Sequence, residues 1–333
     1  MQFPISSFFF FFTLLTGSIM SISSSSWFGA WVGLELNLMS FIPLITMKFN
    51  SYFSEAALKY FLIQALASAF IILSSCLFIM FSTLTSSLIL MALLLKLGAA
   101  PFHFWFPHVI EGMTWLQIII LLNIQKLAPM FLISYLVSSS ILIHIIEVSA
   151  ILSAMVGAFA GLNIMNLKKI MAFSSINHMS WMLIAISIND MTWTTYFLFY
   201  ILISSSILMF FYNIQASTMS DLMNLNFYSP LLTFIMPLSL LSLGGLPPFT
   251  GFIPKWIMIQ IMTMNNMFFF LFVLLLSALI TLYFYLRILI PFILLHNPIM
   301  SNNIKLSPHT SFITIWIIFF NFLGILLPLP FLF

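Results

Sequence analysis

The chain has 333 residues with nine Lys or Arg, six Asp or Glu and a formal net charge of +3, so one formal charge falls about every 22 residues. That interval is roughly one bilayer span. Apolar residues make up 63% and charged residues 5%, against about 45–50% and about 25% in soluble domains, which excludes a water-solvated globular protein. At about 20 residues per span and about 10 per loop the length holds about eleven helices, with almost nothing left for a soluble domain.

Apolar windows between Ser-, Asn- and Pro-rich interruptions predict spans over Phe3–Ile22, Trp27–Met47, Glu55–Phe81, Leu84–Pro107, Met113–Leu136 and Ile141–Leu162. The remainder fall over Lys169–Ile188, Thr192–Ile214, Pro230–Met262, Met267–Leu294 and Thr310–Phe331. The first stretch, MQFPISSFFFFF, has no basic n-region and no Arg-rich amphipathic segment, so it reads as a span and not as a signal or transit peptide. Short loops leave helices, not a barrel, to satisfy the backbone in lipid.

Loop charges predict the orientation. Lys48, Lys168 with Lys169, and Lys305 fall after spans two, six and ten, while the loops after spans one, three, five, seven and nine carry no Lys or Arg. The positive-inside rule then places the N-terminus in the matrix or cytoplasm and the C-terminus on the opposite side. The basic residues are scattered singly, which does not support a nucleic-acid surface. The single cysteine, Cys76, lies in an apolar run, so an internal disulfide and a Cys-ligated zinc or iron–sulfur centre are excluded.

Two spans carry the same proline break. GAAPFHFWFPH and GLPPFTGFIPK align at an offset of 147 residues, matching Gly98 with Gly245, Pro101 with Pro248, Phe102 with Phe249 and Pro107 with Pro254. The breaks lie within 84–107 and 230–262, five spans apart, and an odd separation makes the repeats inverted in the membrane. Inverted repeats with discontinuous helices are a transporter signature, because freed carbonyls and half-helix ends can face an internal hydrated cavity.

A charge at the bilayer centre costs at least about 2.5–3.5 kcal/mol on insertion scales, so each one needs a partner, water or a purpose. Glu35 lies within span two, Lys96 just before the first break, Lys126 midway along span five, Lys255 just after the second break and His178 midway along span seven. Burial favours a neutral lysine and an adjacent carboxylate restores the charge, so a row of such groups can act as a proton relay. His103, beside the first break, is a further candidate. Glu55 and Lys59 are spaced i,i+4 at the end of span three, where an interfacial pair is the simpler reading, with a relay role for Lys59 secondary. His144 and Glu147 read as a hydrated outer pair, and Arg287 can snorkel from the inner half of span ten.

At these residues the match becomes specific. WFGAWVGLELN, SEAALKYFLIQALAS, LLLKLGAAPFHFWFPH, NIQKLAP, LKKIMAFSSINHMSW and GGLPPFTGFIPKW, in this order over Trp27–Leu294, resemble the subunit 2 family of animal mitochondrial NADH dehydrogenase, respiratory complex I. The resemblance implies an all-α, antiporter-like membrane-arm subunit of the inner mitochondrial membrane. Its 1–333 domain would comprise two inverted five-helix repeats, 3–136 and 141–294, and a final helix over 310–331. It also implies that the family's relay glutamate falls on Glu35, its lysines on Lys96, Lys126 and Lys255, and a relay histidine on His178. Ser180 stands where that pattern usually has glycine, and His108 where it often has glutamate.

The function so implied is proton translocation driven by redox chemistry elsewhere. NADH, FMN, iron–sulfur clusters and ubiquinone would belong to partner subunits, and this sequence has no Gly-rich dinucleotide loop of its own. Partners would be membrane-arm subunits on both sides, accessory subunits and lipids. A stand-alone cation/proton antiporter is the rival reading, and an inert membrane spacer is disfavoured by five buried polar positions. A cytochrome b would need paired intramembrane histidines for haem, and a rotary-synthase channel a mid-span arginine; neither is present.

Overall fold

In the computed structural model the described residues are 5–47, 50–78, 82–137, 139–224 and 238–294. They form helices α1 (Ile5–Ser23), α2 (Trp27–Ile45), α3 (Ser51–Leu77), α4 (Ser82–Leu97), α5 (Trp105–Glu111), α6 (Trp115–Leu136) and α7 (Ser140–Ala160). There follow α8 (Leu167–Ile188), α9 (Asp190–Ile214), the short α10 (Met219–Asn224), α11 over 238–244, α12 (Phe252–Met264) and α13 (Phe268–Leu294). Among the described residues eight helices are long and apolar enough to cross a membrane. The expected helix over 310–331, with Lys48 and Lys305, lies outside the described residues.

Where they fall on described residues, the expected spans up to residue 294 correspond to these helices with shifts of a few residues, and α3 begins one turn earlier than expected; the start of the span expected over Pro230–Met262 lies outside the described residues. Ser and Thr in apolar surroundings are accommodated because their hydroxyls donate back to the preceding turn, as Ser21 does to Ser18 O and Ser74 to Phe70 O at 2.7 Å each. Such bonds satisfy the hydroxyl within its own helix, which lipid cannot do.

The chain divides into two compact units, Met1–Ser153 and Ala154–Phe333, with the division inside α7. In the first, α1 packs along α2 through small residues: a Cβ on Gly33 would lie 2.5 Å from Ser21 N, so the two backbones meet directly. Gln117 ties α6 to α2. Its amide donates to Leu44 O at 2.7 Å and Ile45 O at 3.2 Å at the end of α2, while its oxygen accepts from Thr114 N at the start of α6. One side chain thereby satisfies orphan groups at two helix ends.

In the second unit α8 is the central helix, with 94% of its apolar window buried. Asn177 on α8 accepts from Ser277 Oγ at 2.9 Å and donates to Thr281 Oγ1 on α13 at 3.4 Å. Arg287 on α13 donates to the carbonyls of Leu162 and Ile164 after α7. It is half-buried and turned onto the chain's own backbone, where the sequence suggested snorkelling. The same loop pairs with the segment before α10, Leu167 N donating to Ser217 O at 3.0 Å and Met219 N to Met165 O at 3.1 Å. Asp221 caps that segment by accepting from Ser217 N, Ser217 Oγ and Thr218 N, and these bonds hold its carboxyl below its ordinary pKa.

Candidate functional site

Both proline-broken spans are discontinuous where the sequence predicts. α4 ends at Leu97, the chain crosses 98–104 without helix, and α5 resumes at Trp105. α11 ends at 244, the chain crosses 245–251, and α12 resumes at Phe252. The breaks share hydrogen bonds at the offset of the sequence repeat. Gly98 N donates to Leu95 O and Ala99 N to Leu94 O, as Gly245 N donates to Ser242 O and Leu246 N to Leu241 O. Each is a Schellman closure, with glycine in the left-handed region at φ +70° for Gly98 and +76° for Gly245. Further along, Phe102 N meets Ala99 O and Phe106 N meets His103 O, matched by Phe249 N to Leu246 O and Ile253 N to Thr250 O.

A half-helix ending inside a membrane leaves carbonyls that must be satisfied, and its C-terminus attracts positive charge. At the first break Leu95 O accepts from Trp105 Nε1 at 3.1 Å and Lys96 O from Gln64 Nε2 at 3.2 Å, with the Lys96 side chain in the last turn of α4. At the second break Lys255, from the first turn of α12, folds back so that its Nζ donates to Gly244 O at 2.8 Å. Both lysines thus sit at the C-terminal end of a first half-helix, reached by different routes. Lys96 is 7% and Lys255 6% exposed.

In the first unit one small cavity brings Lys96 and Lys126 together, with Asn37, Tyr60, Gln64, Gln125, Trp105 and Phe106 in its wall. Lys126 is 2% exposed and its Nζ lies 5.3 Å from the centre of the Phe106 ring, a cation–π contact. Glu35 on α2 is half-buried and within electrostatic range of Lys96. Tyr60 Oη donates to Gln125 Oε1 at 3.3 Å, and Gln125 Nε2 donates to Asn37 Oδ1 at 2.9 Å. His103 is half-buried in the break with its ring 4.1 Å from that of Phe104, and it does not line the cavity. Lys59 does not line it either. It is exposed on α3 and pairs with Glu55 at 2.6 Å, the i,i+4 pair its spacing suggested. His144 and Glu147 likewise pair at 3.1 Å.

In the second unit His178 on α8 is 8% exposed. Its Nδ1 lies 2.9 Å from Tyr196 Oη, and its ring faces that of Tyr200 at 5.2 Å. These three residues line a small cavity with Ser242, Gly251 and Pro254, so His178 opens toward the second break, one residue from Lys255. Gly251 allows the loop to pack there, since a Cβ on it would overlap Ser242 O at 1.7 Å.

Sequence reasoning singled out the charges and passed over Asn37, Tyr60, Gln64, Gln125, Tyr196 and Tyr200. A signal existed in part, because Tyr60 and Gln64 are spaced i,i+4 in an apolar helix and Gln125 adjoins Lys126. Nothing in the sequence says which polar residues meet across helices.

Residues 24–86 and 79–281 match the family described as NADH:quinone oxidoreductase/Mrp antiporter, TM. NADH-ubiquinone oxidoreductase chain 2 of Anopheles gambiae is 45% identical over 326 residues, covering 95% of this chain and 94% of that protein. The Aedes aegypti protein of the same name is 45% identical over 324 residues, covering 92% and 94%. Among solved structures, respiratory complex I from Thermus thermophilus with bound aureothin contains a chain that matches at a TM-score of 0.86 and 24% identity. That match covers 99% of this chain and 81% of the other, and is a likeness of fold.

Proposed function

This chain belongs to the NADH-ubiquinone oxidoreductase chain 2 family, and from that membership we propose that it is a proton-translocating membrane subunit of respiratory complex I. The observation that carries the reading is the cavity shared by Lys96 and Lys126, two buried lysines from separate helices, with Glu35 in electrostatic range of the first. Two ammonium groups confined together repel, so a proton gained by one is unfavourable for the other. A change in the charge of Glu35 or in its distance biases which lysine holds the proton, and that bias is how redox work done elsewhere is received.

In this reading a proton reaches Lys126 from the matrix, and the row continues to His178 and Lys255 for release on the far side. His103 and Lys59 stand at its margins, Lys59 at the helix end where a proton could be collected. The two repeats over 3–136 and 141–294 each contribute one broken helix, a division supported by their matching hydrogen bonds. The subunit sits in the mitochondrial inner membrane with its N-terminus in the matrix and C-terminus in the intermembrane space. Membrane-arm subunits flank it on both sides, with accessory subunits and lipids around them, and those partners hold NADH, FMN, iron–sulfur clusters and ubiquinone. The relatives' shared name and full-length coverage favour this reading over a stand-alone antiporter.

Lys126→Met tests it, because methionine keeps the bulk and removes the ionisable group. The expected outcome is an assembled complex that oxidises NADH with fewer protons moved per electron. An unchanged ratio would remove the basis of the reading.

A further inference from the structure

Three of the ionisable residues named above have a neutral polar neighbour in sequence. Asn37 is two residues from Glu35, Tyr60 follows Lys59 and Gln125 precedes Lys126. The fold joins these neighbours into one chain across the cavity: Tyr60 on α3, Gln125 on α6 and Asn37 on α2, linked at 3.3 Å and 2.9 Å. Tyr60 and Asn37 are each 3% exposed, so the ends of the chain are shielded from solvent and lipid. One turn along α3 from Tyr60, Gln64 donates to the Lys96 carbonyl. One face of α3 therefore grips the helix of Lys126 with one residue and the last turn carrying Lys96 with another.

α6 meets α2 through two amides, Gln117 and Gln125, eight residues apart. Gln117 works at helix ends, where backbone groups need partners, and its role is accounted for by capping. Among the described residues Gln125 satisfies no backbone group. It links side chains mid-helix at the wall of the cavity, where an apolar residue would leave the buried Tyr60 hydroxyl and Asn37 amide oxygen without this partner.

We propose that Gln125 is a positioning residue for proton transfer, holding Lys126 in register with Lys96 and with the helix of Glu35 through Tyr60 and Asn37. The inference rests on the relay reading above and specifies how its distances are kept. A lysine side chain has four rotatable carbons and no preferred reach, so the separation of two ammonium groups is set by the helices that carry them. Proton transfer falls off steeply with misplacement, and a shift of about 1 Å can reduce a rate by about a hundredfold.

The test uses the intact complex in sealed membranes, with Tyr60→Phe, Gln125→Leu, the double variant and Lys126→Met. Assembly is read on a native gel, and protons moved per electron are measured against NADH oxidation. A residue that merely stabilises the fold lowers the amount of complex and leaves that ratio unchanged in what assembles. The inference expects each single variant to assemble and to lower the ratio by roughly two- to threefold, with the double variant no lower than the worse single one, as for groups acting as a unit. Ratios equal to wild type in assembled Tyr60→Phe and Gln125→Leu, with Lys126→Met reduced, would overturn the positioning role and leave the relay standing. A normal ratio in Lys126→Met would overturn the relay itself. Should Gln125→Leu fail to assemble, Tyr60→Phe, which deletes one oxygen, decides alone.

Discussion

His178 shows how much one contact can determine. A neutral imidazole has one donor and one acceptor nitrogen, and the partner at one nitrogen fixes the tautomer and the orientation of the ring. Tyr196 Oη lies 2.9 Å from Nδ1, so the hydroxyl and the ring share one hydrogen bond whose direction follows the tautomer. Tyr196→Phe removes that partner at a cost of about 1–3 kcal/mol for a buried group left unmade. The expected outcome is an assembled complex with slower proton translocation, measured as vesicle acidification at a fixed NADH oxidation rate. Equal rates would mean that packing against Tyr200 suffices to orient the ring. The presence of a histidine in an apolar span was legible in the sequence, but its tyrosine lies 18 residues away on the next helix, and no spacing rule links them.

The two broken helices invite a paired comparison. Both contain a glycine at positive φ, where alanine costs roughly 1–2 kcal/mol in either repeat. Their surroundings differ. A Cβ on Gly98 would meet Phe106 Cβ at 3.1 Å, whereas one on Gly245 would meet Lys255 Cδ at 2.7 Å and Nζ at 3.0 Å. Gly98→Ala is therefore expected to lower thermal stability with its lysine still in place. Gly245→Ala adds a second effect, pushing Lys255 off the Gly244 carbonyl and depressing proton translocation beyond what the stability loss explains. Thermal melts of the purified complex, set beside pumping per assembled complex, separate the two. The breaks were readable from the sequence because proline and glycine act locally. That Lys255 turns back across its own glycine was not, since it depends on how α12 is set against α11.

For the whole chain, the exposed large apolar residues include Phe8, Phe9 and Phe12 on α1 and Phe268, Phe269 and Phe272 on α13. Such faces belong in lipid or against other membrane subunits. Gentle solubilisation followed by a native gel is expected to leave this chain at stoichiometric abundance in the band stained for NADH dehydrogenase activity, identified by peptide mass spectrometry. Migration alone, without the stain, would favour an independent antiporter and direct attention to ion flux in vesicles.

Composition alone determined the class of this protein, because a chain that is 63% apolar with sparse charge has few ways to satisfy its backbone outside a helical membrane domain. Periodic interruption determined most helix limits, and each buried charge announced itself by its insertion cost. These are local or additive properties, written wherever the residue stands. Only the tertiary structure decided that Lys96 and Lys126 share a cavity, that Tyr60, Gln125 and Asn37 cross its wall, and that Arg287 turns inward onto the Leu162 and Ile164 carbonyls. Those facts depend on which faces of apolar helices meet. Lipid gives weak guidance there, because a leucine is nearly as well solvated by acyl chains as by another helix, and the choice falls to small residues and polar pairs distant in sequence.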